Sequence, residues 1–253
     1  MARGKRKGFP IGKAVWFLAL IFLAFVITLG YQEFFKPAVN NPMRLASGNL
    51  HRPGRKIVVC AGDSIVRGQL SFNYVNYLAG EPNLQEYQFI NAGINCDLAY
   101  NLLQRLEPVI ACKPAYVVIQ IGTADLLGSL YPNFGTCYQW TRQLPHKPER
   151  DWYRENLSLI VSILKQRTKA KIALVSLPML GEAIHSEANR QVGQYNSMIQ
   201  TIASSEGVYF LPVYDDQLQY LAASRRNSAP EFTGDYTQIG RALIDHLVLK
   251  KSL

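Results

Sequence analysis

The sequence predicts a three-layer α/β/α domain on a parallel five-stranded sheet, preceded by one membrane-spanning helix. Five short apolar runs, "KIVVCA" (56–61), "YQFINA" (87–92), "AYVVIQIG" (115–122), "KIALVSL" (171–177) and "GVYFLPV" (207–213), alternate with longer segments of helical spacing. That alternation is the signature of a parallel sheet covered by helices on both faces. The runs are apolar nearly throughout, as strands buried on both sides must be. Ahead of them stands "AVWFLALIFLAFVITLGYQ", Ala14 to Gln32, without a charge.

Nineteen residues at roughly 1.5 Å each make about 28 Å of helix, close to the roughly 30 Å apolar thickness of a bilayer. Residues 1–13 hold Arg3, Lys5, Arg6, Lys7 and Lys13 and no acid. A basic tail before an apolar span places the N-terminus in the cytoplasm and everything after residue 33 outside. The alternative is a cleaved signal peptide, with Thr28 and Gly30 as small residues before a cut. The run exceeds a usual signal core and no A-x-A site follows, so an uncut anchor is the expectation. The tail also accounts for five of the nine net positive charges. The remainder is too small to argue for nucleic acid as a partner.

Residues 33–54 carry three prolines and three asparagines with little periodicity and read as a linker. Residues 55–253 form the domain. Its helical segments are Asp97 to Ile110, Arg150 to Arg167, Glu187 to Ser204 and a closing Thr237 to Lys250, where Ile239, Leu243 and Leu247 share one face. Cys60, Cys96, Cys112 and Cys137 lack metal-ligand spacing, and outside the cytoplasm they allow three disulfide connectivities. No metal site and no organic cofactor is expected.

Ligands of open parallel sheets bind beyond the carboxyl ends of the strands. The residues standing there are Gly62-Asp63-Ser64, Gly93-Ile94-Asn95, Gly122-Thr123-Ala124-Asp125, the loop from Pro178 to His185, and the segment following Val213. Ser64 ends a strand and opens a helix, so it is either a cap or a nucleophile held at a pocket mouth.

Taken in order, "VVCAGDSIVRG", "FINAGINCD" and "PAYVVIQIGTADLL" resemble three blocks of the SGNH (GDSL-like) hydrolase superfamily, over roughly residues 55–250. The resemblance implies a flavodoxin-like α/β/α architecture, Ser64 as nucleophile and the Gly93 N–H as an oxyanion donor. Two positions depart from the pattern. Ala124 stands where the family carries asparagine, which removes a side-chain donor. In "EFTGDYTQIGRALI" no histidine occupies the family's last block; counting back from Gly240 puts Asp235 at the histidine position.

The chemistry gives these departures weight. A serine hydroxyl needs a base to take its proton, and an ordinary carboxylate is a weak one. Losing one oxyanion donor slows such enzymes roughly 10²–10³-fold. His185, in "LPMLGEAIHSE" after the fourth strand, is the alternative base; the competing description is an exposed loop histidine. Asp63 doubles as an N-cap, Asp125 as the cap of a helix starting near Leu126. Asn95 is a substitute donor, and Thr123 completes the substrate-binding candidates. The aromatic segment Gly128 to Arg150 either lines or covers the site or is a loop packed against the domain. Asn156-Leu157-Ser158 matches a glycosylation sequon within a helical pattern.

Two functions follow. One is a membrane-anchored serine ester hydrolase or acyl transferase acting on ester-linked acyl groups of envelope carbohydrate or lipid. The other is a binding or scaffold module that keeps the pocket without turnover. A third reading, a nucleotide-binding module, has little support, since the first turn carries neither G-x-G-x-x-G nor a phosphate-loop lysine.

Overall fold

The computed structural model describes residues 11–69, 72–180 and 183–226. Helix α1 (Ile11–Phe34) belongs to a unit separate from the rest of the described chain. Its window Trp16–Phe34 has a mean hydropathy of 1.9, and by length and composition it can cross a membrane.

The second unit begins at Pro37. Strands β1 (Lys56–Gly62), β2 (Tyr87–Gly93), β3 (Tyr116–Gln120), β4 (Lys171–Val175) and β5 (Tyr209–Leu211) form one parallel sheet in the order β2-β1-β3-β4-β5. Successive side chains point to opposite faces. Val59, Ala61, Ile90, Val117, Ile119, Ile172 and Leu174 therefore enter one core and Val58, Cys60, Phe89, Val118, Ala173 and Val175 the other.

Helices α2 (Pro42–Ala46), α3 (Ser64–Arg67), α4 (Tyr74–Gly80), α5 (Ala99–Gln104), α6 (Leu106–Ala111), α7 (Thr123–Leu130), α8 (Pro132–Thr141), α9 (Arg150–Arg167), α10 (Glu187–Glu206) and α11 (Val213–Arg226) complete the described elements, with a single 3₁₀ turn at Pro82–Leu84. The first core packs α5, α6, α9 and α10 against the sheet; the second packs α3 and α4. The expected α/β/α fold is thus present.

Three differences from the sequence reading have local causes. The segment expected to run as one helix from Asp97 breaks at Arg105, because Pro108 lacks an N–H and its ring crowds the carbonyl four residues back. The segment from Gly128 to Arg150 is not all loop: Pro132, pre-set for a first turn, opens α8. From Pro37 onward the expected linker is docked. The Asn91 N–H donates to the Asn40 carbonyl at 2.9 Å, and the Gln88 side chain ties the Arg52 N–H and the Leu50 carbonyl. Strand β2 is an edge, and its outward N–H and C=O groups need partners. The closing segment Thr237 to Lys250 lies outside the described residues.

Candidate functional site

Register brings the candidate residues to one edge. Gly62 of β1 stands level with Gly93 of β2 and with Gln120 of β3, so the three strands stop together. Ser64 is the first residue of α3, a four-residue helix that Gly68 ends in the left-handed conformation (φ 62°). The serine is half-buried, and its hydroxyl has no hydrogen-bond partner among the described residues. Asp63, 1% exposed, accepts the Ile65 N–H at 3.0 Å and caps the helix. The Ser64 N–H, an orphan donor of the first turn, has no acceptor among the described residues either.

Gly93 serves the approach of α3. A Cβ there would sit inside the contact radius of the Arg67 backbone nitrogen. Asn91 holds the arrangement by donating to the Val66 carbonyl at 2.8 Å and accepting the Gly93 N–H at 2.9 Å. The Gly93 N–H is therefore already engaged, and an oxyanion bound there has to share it or displace Asn91. Asn95 is fully buried, with its amide donating to Gln69 Oε1 at 2.9 Å.

After β3 the chain turns at Gly122 (φ 130°), where the Tyr153 ring leaves a Cβ only 2.8 Å. Asp125 caps α5 rather than the start of its own helix: its carboxylate accepts the Ala99 N–H at 3.0 and 3.3 Å. Ala124 packs with Leu98 and Leu144 in a small apolar cluster bordered by Tyr100, Tyr138 and Trp152. Position 124 is thus occupied by apolar packing. The Thr123 hydroxyl is buried and makes no hydrogen bond among the described residues. It faces Asp63 closely enough to ease the charge there.

Asp63 and Asp125 are buried carboxyls whose pKa values rise, to about 7 and about 8. Desolvation of the ionised form is the main cause in both. The Ile65 N–H offsets it at Asp63 and the Ala99 N–H at Asp125; Asp97 pushes both upward. Sequence reasoning missed Asp97. It is 0% exposed and pairs with two guanidinium groups, Arg105 Nε at 2.6 Å and Arg142 from the end of α8. Arg105 also donates to the Gly62 carbonyl at 3.1 Å, which braces the turn entering Asp63 and Ser64. No local pattern signals this cluster, because its partners stand 8 and 45 residues away in the chain.

His185 stands exposed on the turn before α10, whose N-cap is Ser186. The structure gives it no hydrogen bond to Ser64 among the described residues. Asp235 lies outside the described residues. Among those described, no group of three His, Cys, Asp or Glu side chains is placed to hold a metal ion.

A family model, the GDSL-like Lipase/Acylhydrolase family, matches residues 60–236. The chain belongs to this family. All three strand ends, from Asp63 and Ser64 to Gly122 and Asp125, fall inside the match. A search of curated proteins finds no match. Among solved structures, the acetylxylan esterase Axe2 from Geobacillus stearothermophilus superposes with a TM-score of 0.58 at 22% identity, over 78% of this chain and 97% of the other. A catalytic mutant of that enzyme gives 0.60 at 20% identity, over 78% and 97%. The acetyl xylan esterase AlAXEase gives 0.62 at 17% identity, over 76% of this chain and all of its own. At such identities the likeness establishes the fold that acylhydrolases of this kind share with the present chain.

Proposed function

We propose that this GDSL-family protein is a membrane-anchored serine esterase or acyl transferase acting on ester-linked acyl groups of envelope carbohydrate or lipid. One observation carries the reading: a serine hydroxyl without a hydrogen-bond partner among the described residues, at the first position of a helix, at the edge where three strands end together. The Ser64 oxygen attacks the acyl carbon, its proton passes to the base, and the alcohol leaves as the acyl-enzyme forms. The developing oxyanion is met by the Ser64 N–H and the first-turn dipole of α3, with Gly93 as the second donor once Asn91 gives way. His185 and Asp235 are the two candidates for the base. Thr123, Asn95, Asp63 and Asp125 surround the acyl group and its leaving alcohol. The apolar helix near the N-terminus supports an anchor with the domain outside the cytoplasm, and the acetylated xylan named for the structural relatives supports an acylated carbohydrate.

The rival reading, a binding module without turnover, draws on Ala124, which offers no donor where the family has asparagine. Labelling with a fluorophosphonate probe separates the two. The esterase reading expects labelling that Ser64→Ala abolishes and that either His185→Ala or Asp235→Ala slows at least 100-fold. A folded wild-type protein that takes no label at Ser64 makes the chain a binding module.

A further inference from the structure

We propose that docking of the segment from Pro37 onward shortens the tether so far that the edge bearing Ser64 is held at the lipid surface. The ester it meets is then carried by a lipid or a lipid-linked group in that surface. The placement rests on the anchor reading of the apolar helix, and the substrate class rests in addition on the esterase reading.

A free linker over residues 33–54 would let the domain range widely. Its 22 residues reach about 80 Å fully extended and average about 25 Å as a flexible coil. The structure removes most of that length. The Asn40 carbonyl accepts the Asn91 N–H at 2.9 Å, and the Asn40 amide donates to the Phe89 carbonyl at 3.3 Å. Asn41 caps α2 by accepting the Arg44 N–H at 3.1 Å, and Gln88 holds the chain at Leu50 and Arg52. Only Phe35 and Lys36 then separate Phe34, the last residue of the apolar window, from Pro37. Three residue steps span at most about 11 Å.

The point of attachment lies at the edge that carries the nucleophile. Pro37, Pro42 and Met43 line one crevice with Gly93, Ile94 and Val109. Gly93 pairs in register with Gly62 of β1, one strand spacing of about 4.8 Å away, and Ser64 follows two residues later. A chain tied at the other ends of the strands would have set the height of the sheet between the tether and Ser64. The surface of the docked segment suits the same occupant. Pro37 to Met43 carries no charge, and Val39 and Met43 stand 73% and 65% exposed. Lys36 before this run and Arg44 after it supply the basic flanks that lipid headgroups attract.

The test uses the full chain in nanodiscs of phosphatidylcholine and phosphatidylglycerol whose headgroups carry a nitroxide quencher. In a Cys137→Ser background, which removes the exposed thiol, Val39→Cys or Met43→Cys carries a bimane label, with the parent as blank. The expected result is strong quenching at both positions. A Gly/Ser segment of about twenty residues inserted between Lys36 and Pro37 should abolish it while leaving every contact of the docked segment in place. The insertion should also slow labelling of Ser64 by a fluorophosphonate built on a phospholipid roughly tenfold. Labelling by a soluble fluorophosphonate should keep the parent's rate. Absence of quenching at either position, quenching that survives the insertion, or a chain cleaved ahead of Pro37 and released from the disc overturns the placement. An unchanged ratio of the two labelling rates overturns the substrate class and leaves polymer-borne esters as the alternative. If neither probe labels Ser64, the esterase reading and the substrate class fall together, and the quenching still decides the placement.

Discussion

Replacing Asp125 by asparagine should change the way stability depends on pH. In the folded state its carboxyl titrates at about 8 instead of 3.8, and that of Asp63 at about 7. Between those values and about pH 4 the folded chain binds more protons than the unfolded one. Stability therefore falls as pH rises through that window and levels off above it. One pKa unit is worth about 1.4 kcal/mol, so the Asp125 shift alone sets a ceiling of roughly 5 kcal/mol between pH 4 and pH 8. Asp63 raises Asp125, so their effects overlap and do not add. Asparagine keeps an oxygen for the Ala99 N–H but cannot ionise. Its amide adds a buried donor, which costs about 1–3 kcal/mol without an acceptor. The variant should be the less stable protein at pH 5 and the more stable one at pH 8, with curves that cross. Urea unfolding followed by circular dichroism at pH 5, 6, 7 and 8 measures this. Wild-type stability that is flat or rises from pH 5 to 8, or an identical slope in Asp125→Asn, would refute the assignment of buried neutral carboxyls.

Asp97→Ala strands Arg105 and Arg142 in a nearly closed site, and breaking a buried pair from one side costs about 3–5 kcal/mol. Calorimetry should find this among the largest single-site losses in the domain, and a loss under 1 kcal/mol would mean that water already solvates the pair. Gly93→Ala drives a methyl into the Arg67 backbone and should destabilise by about 1–3 kcal/mol while displacing α3. Fluorophosphonate labelling at Ser64 should slow more than the melting temperature alone explains. Equal labelling rates in both proteins would remove Gly93 from the support of the nucleophile.

Much of the scaffold was legible in the chain. β1 and β2 each run one residue past their predicted bounds, and α9 spans the predicted residues. The parallel sheet follows from alternating strands and helices, and Ser64 stands at the strand-to-helix junction where its motif put it. The site was less legible. Asp125 was expected to cap its own helix and caps α5 instead, 26 residues away. Gly93 was expected as an oxyanion donor, yet its N–H is occupied by Asn91, a residue that drew no attention in the sequence. The linker reading of 33–54 missed the docking of Pro37 onward, since nothing local reports that β2 is an edge in need of partners.

Amino-acid order by itself determined the apolar helix, the five buried strands, the family and the position of the reactive-looking alcohol. These depend on periodicity and steric preference over a few neighbouring residues, so a linear reading captures them. Folding in three dimensions decided which charges face one another. Asp97 obtained its two guanidinium partners, and Asp125 was buried where Asp63 and Asp97 raise its pKa. Such encounters depend on strand register and helix placement across tens of residues. The energy of a buried charge is set by whatever the fold brings beside it, and no short stretch of sequence specifies that neighbour.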